Sequence, residues 1–104
     1  MDQNPVLVTD DLRKTIFDKL ADSYIEEVGS GRLSPGQRQS ICKWILDAVR
    51  AAQKEEDLIN FFEYLTRSYP FFKAATMNLK SEMVLHKEKE LMGKLKQYYQ
   101  KLNI

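Results

Sequence analysis

The sequence predicts an all-α protein: a small helical bundle of three amphipathic helices, followed by a long C-terminal helix that either bends or protrudes. Three observations carry this. Apolar residues recur at steps of three and four in successive stretches, the spacing of one helical face. Start and stop signals for helices fall between those stretches. No alternating apolar–polar run competes as a strand.

In chain order, residues 1–9 hold Pro5, Val6, Leu7 and Val8 and are too short for a helix, so they are expected to form an N-terminal arm. Thr9 or Asp10 can cap the first helix, and Asp10 and Asp11 suit the positive end of its dipole. Leu12, Ile16, Phe17, Leu20, Ala21, Tyr24 and Val28 make its apolar face, with Asp18, Asp22 and Glu26 on the other side. Gly29 is placed to close it in the left-handed conformation.

Ser34-Pro35-Gly36-Gln37 is the clearest helix start. Serine caps, proline occupies the first helical position, and Gln37 can complete a capping box, with Leu33 as a hydrophobic staple. The second helix should bury Ile41, Cys42, Ile45, Ala48, Val49 and Ala52, leaving Trp44 on the flank and Leu46 outward. Glu55, Glu56 and Asp57 open a third helix with favourable dipole chemistry. It should end near Ser68, because Tyr69 precedes Pro70 and is pushed out of helical geometry.

The stretch Leu58–Phe72 is expected to anchor the core. Six of the 11 aromatic residues lie between Phe61 and Phe72, and Leu58, Phe61, Phe62 and Leu65 share one face. Pro70 can open the fourth helix. From there to Leu102 there is no proline and only Gly93. A continuous helix would span roughly 50 Å at 1.5 Å per residue, against a radius of gyration of about 13 Å for a compact chain of this size. Phe72, Ala75, Leu79, Met83 and His86 share one face, and Val84, Leu91, Leu95, Tyr98 and Leu102 share another about 140° away, at 100° per residue. Either the helix overhangs its body, or a break near Lys87–Glu90 lets one core take both faces. The domain organisation expected is an arm (1–9), a bundle (10–83) and a basic amphipathic helix (84–104).

Composition narrows function. With 104 residues the chain fits one domain, and a net charge of +1 gives no global pull toward nucleic acid. The charge is uneven: residues 1–72 carry −3 and residues 73–104 carry +4. One cysteine excludes an internal disulfide, and no signal-peptide pattern or membrane-spanning run is evident, so a cytoplasmic setting is expected. A single histidine, His86, and a single cysteine, Cys42, leave no basis for a structural zinc site or a cysteine–histidine catalyst, so no enzyme, cofactor or metal role is expected.

The function expected is a non-catalytic protein–protein interaction module using the C-terminal helix. In heptad register, Val84, Leu91 and Tyr98 take position d, and Glu88, Leu95 and Leu102 take position a. Lys87, Lys94 and Lys101 fall at g, and Leu85, Met92 and Tyr99 at e. A parallel homodimer would set lysines against apolar side chains, and an antiparallel one would set lysine against lysine. Homodimerisation by this helix alone is therefore disfavoured. An acidic and apolar surface fits better, on another protein or on Asp18, Asp22 and Glu26 of the first helix. The alternative is a nucleic-acid binder reading through Arg38, Gln39, Lys43 and Arg50 of the second helix together with the basic C-terminal segment. The acidic row on the first helix argues against it.

Overall fold

The computed structural model describes residues 7–102, and the expected arm residues before Leu7 lie outside them. Four α-helices follow in order: α1 (Asp10–Gly29), α2 (Pro35–Ala51), α3 (Glu55–Ser68) and α4 (Lys73–Leu102), with a 3-10 turn at Pro70–Phe72 leading into α4. Among the described residues the only β-type pairing is a single bridge between Leu7 and Lys54. No helix among them is long and apolar enough to cross a membrane.

The local signals act largely as their chemistry dictates. Thr9 caps α1 by accepting from the Leu12 amide at 3.1 Å. At α2 the capping box is complete: Ser34 Oγ accepts from the Gln37 amide at 3.2 Å, and Gln37 Oε1 accepts from the Ser34 amide at 2.9 Å. Ser34→Ala is expected to lower stability by about 0.5–2 kcal/mol and Ser34→Asp to leave it nearly unchanged, measured by chemical denaturation. Equal losses from the two would remove the capping role. At α3, Asp57 Oδ2 accepts from the Lys54 amide at 3.1 Å, so one of the three expected dipole-compensating acids also caps the helix.

The end of α1 differs from the sequence expectation. Gly29 stays in the helix, Ser30 is the cap in right-handed geometry, and the left-handed residue is Gly31 at φ +77°. The chain needs positive φ only after Ser30 has turned back, its amide donating to the Glu27 carbonyl. Across this turn Arg32 clasps the nearly buried Glu27 with two hydrogen bonds, 2.7 and 2.9 Å. That guanidinium holds the Glu27 carboxyl below its ordinary range.

The core is one cluster. Ile16 and Leu20 from α1, Ile41, Ile45 and Val49 from α2, and Leu58, Phe61, Phe62 and Leu65 from α3 meet Phe72, Ala75, Leu79 and Met83. Phe62 and Phe72 are its largest fully buried side chains. Trp44 is drawn in from the flank, its ring edge-on to Phe61 with centroids 5.5 Å apart. Cys42, expected in the core, is exposed. It lines a groove left between α1 and α2, together with Phe17, Ala21 and Tyr24 of α1 and Leu46 of α2.

Of the two alternatives left by the sequence, a break at Lys87–Glu90 or an overhanging helix, the structure takes the second. α4 runs unbroken to Leu102, and Met83 is its last buried residue. The reason lies in the sequence of its inward face. Continuing the register of Phe72, Thr76, Leu79 and Met83 by steps of three and four leads to Glu90, Lys94, Gln97 and Lys101. Nothing apolar on that side draws the helix back. The result is an elongated molecule of 64 × 25 × 21 Å with a radius of gyration of 17.3 Å.

Candidate interaction surface

The point where α4 leaves the bundle is fixed by charges. Lys19 of α1 holds α4 by donating to the Asn78 side-chain Oδ1 at 2.9 Å and pairing with Glu82 at 3.2 Å. One turn further, Lys87 Nζ lies 3.1 Å from Oε2 of Glu55, whose side chain is 7% exposed at the start of α3. That oxygen makes no aligned hydrogen bond among the described residues, so the contact is one of charge on charge. It gives a buried carboxylate the cation it needs, since an unpaired buried charge is strongly unfavourable. Lys87 is thus engaged within the chain, which its place in the heptad did not reveal.

After Met83 every residue of α4 from Val84 to Leu102 is exposed. Val84, Leu85, Leu91, Met92, Leu95, Tyr98, Tyr99 and Leu102 are all large exposed apolar residues. They gather on the outer side of the helix, away from the bundle. Lys94 and Lys101 border them and enter no ion pair among the described residues. The stripe also extends back over the bundle. Met77, 57% exposed, continues the d positions of Val84, Leu91 and Tyr98, and Ser81 falls at the intervening a position. The signal for Met77 was present in the sequence, because it sits seven residues before Val84.

Internal docking on α1 is not what the chain does. Asp18, Asp22 and Glu26 are exposed, and no ion pair among the described residues reaches them. A rigid helix held at Glu82 and Lys87 carries its basic half away from that row. The four α2 residues considered for nucleic-acid reading are divided: Gln39, Lys43 and Arg50 are exposed, while Arg38 is half-buried, its Nε without a hydrogen-bond partner among the described residues.

Two hollows flank the bundle. A cleft of about 490 Å³ between Leu7, α1, the start of α3 and α4 is lined by Thr9, Thr15, Glu55, His86, Lys87 and Glu90, among others. Its hydroxyls are already committed, Thr9 to the α1 cap and Thr15 to the Asp11 carbonyl. His86 faces Glu90, 3.1 Å away along the same helix. The second hollow, about 320 Å³, is the groove between α1 and α2. There the Cys42 thiol, by hydrogen bonding, and then burial raise the Tyr24 hydroxyl above its ordinary pKa. Cys42 and His86 therefore line different hollows and form no nucleophile–base pair. Among the described residues no three His, Cys, Asp or Glu side chains come together as a metal site.

No family model, no curated protein and no solved structure matches this chain. Eight of the 13 large apolar side chains exposed among the described residues lie on the outer face of α4.

Proposed function

We propose that the protein is a non-catalytic interaction module, with the bundle as scaffold and α4 as the recognition element for another protein of acidic and apolar surface. One observation carries the reading. A single helix keeps eight large apolar side chains in solvent between Val84 and Leu102, while its inward face turns polar after Met83. Contiguous exposed apolar surface of this kind marks an interaction site. An amphipathic helix laid into a partner's groove is a common way of using it.

Apolar burial would supply the affinity, and the bordering lysines would set orientation and encounter rate. A nucleic-acid role has less support. Lys43 and Arg50 are separated by Leu46 and Asp47, and the acids of α1 would repel phosphate.

The test is face-specific cross-linking in the native cell. A photo-reactive side chain at Leu95, on the stripe, is expected to yield a discrete protein adduct, and the same group at Gln97, on the polar side, is expected to yield none. Equal labelling from both positions, no adduct from either, or an adduct removed by nuclease would each contradict the reading.

A further inference from the structure

We propose that the occupant of the α4 stripe is an acidic amphipathic helix of a different protein, and that Glu88 is the residue that selects it. The inference rests on the reading of α4 as the interaction element and names what that element takes.

Glu88 lies inside the stripe, one turn from Val84 and Leu91 and beside Leu85 and Met92 in projection. It is exposed, and no ion pair among the described residues reaches it. Covering the stripe therefore covers a carboxylate, and a covered charge without a partner is strongly unfavourable. Each kind of occupant meets this demand differently.

A second copy of the chain fails on charge. In a parallel pair, position a meets position a, so Glu88 would lie on Glu88. In an antiparallel pair, position g meets position g, so the row of Lys80, Lys94 and Lys101 would meet its own like. A lipid surface also fails. The lysines could reach past the apolar face to headgroups, but the short Glu88 side chain would be carried into the apolar layer with the leucines around it.

A foreign helix meets the demand if it has three properties. It needs apolar residues at its own a and d positions. Opposite Glu88 it needs lysine or arginine. Its flanks must differ: acidic where it faces Lys80, Lys94 and Lys101, and apolar where it faces Leu85, Met92 and Tyr99. Because one border of the α4 stripe is basic and the other apolar, the occupant's two borders are assigned separately. A single polar residue at an a position is a recognised device for specifying partner and register. Glu88 takes that role here, with the lysine row reinforcing it.

The probes are synthetic four-heptad peptides offered to the full-length protein. One carries glutamate at e and leucine at g for parallel pairing, and the other the converse for antiparallel pairing. Each has leucine at a and d except for one lysine opposite Glu88, placed at a in the parallel peptide and at d in the antiparallel one. One of the two is expected to bind as a 1:1 complex that weakens as salt is raised. Exchanging its single lysine for glutamate is expected to weaken binding at least about 30-fold. The Glu88→Leu protein is expected to lose that discrimination and to self-associate in sedimentation, where the wild type stays monomeric. Leu91→Ala with Leu95→Ala should abolish binding of both peptides.

Failure of both acidic peptides, or equal binding of a peptide with lysine along the flank, would overturn the inference. So would association of the wild-type protein with phosphatidylserine vesicles, or a salt-resistant wild-type dimer. If the Leu95 cross-link forms while both acidic peptides fail, α4 remains an interaction element and only the nature of its occupant is wrong. If that cross-link is absent as well, both readings fall.

Discussion

Phe62→Ala is expected to destabilise the protein by about 3–5 kcal/mol, the range for truncating a buried phenylalanine. Phe62 is fully buried on α3. The cluster it belongs to draws side chains from all four helices, so its loss is felt across the one core. The ring also lies 6.1 Å from that of Phe61, which in turn supports Trp44. Small domains have only about 5–15 kcal/mol of stability in all, so the variant should be close to unfolding at moderate temperature. Urea denaturation followed by helical circular dichroism measures it. A midpoint equal to that of wild type would show that the α3 aromatic face is not the centre of the core.

A comparison along α4 gives the second large effect. Leu79→Ala and Leu91→Ala make the same chemical change on the same helix, twelve residues apart. Leu79 is 1% exposed and Leu91 is 62% exposed. The first is expected to cost about 2–5 kcal/mol through lost burial and the cavity left behind. The second should fall within about 0.5 kcal/mol of wild type, as surface substitutions do, because alanine favours the helix as well as leucine does and no packing is lost. Two similar losses would mean that the helix beyond Met83 packs on the bundle after all. Two negligible losses would mean that α4 contributes nothing to the core.

The parts of the fold legible in the sequence are those set by local chemistry. Ser34-Pro35-Gly36-Gln37 specifies a capped helix with no help from distant residues, and Tyr69-Pro70 ends α3 for a steric reason. The two faces of α4 were equally legible, because periodicity along one helix needs no knowledge of its neighbours. What pairing and packing decide was not. Glu55 reads as a dipole-compensating acid, and only the approach of α4 turns it into the buried partner of Lys87. Glu27 and Arg32 meet because the chain turns back between them. Cys42 sits on a face that α2 alone would bury, and it is left open because it lines the groove that α1 and α2 leave between them.

The choice between a bent and a protruding α4 had a signal that periodicity of the apolar residues missed. The polar residues Glu90, Lys94, Gln97 and Lys101 occupy the register of the inward face, so the helix has no reason to fold back. The stripe on the other side is then left for something outside the bundle. Its exposure is a property of the fold, and its purpose is the proposal.

Small-angle X-ray scattering of the full-length chain, at concentrations where sedimentation shows a monomer, tests that exposure most directly. A helix overhanging its bundle predicts a radius of gyration near 17.3 Å and an elongated particle with a longest axis near 64 Å. A radius of about 13 Å, the value for a compact chain of this length, would mean that the stripe is covered by the protein's own core, and would contradict the account.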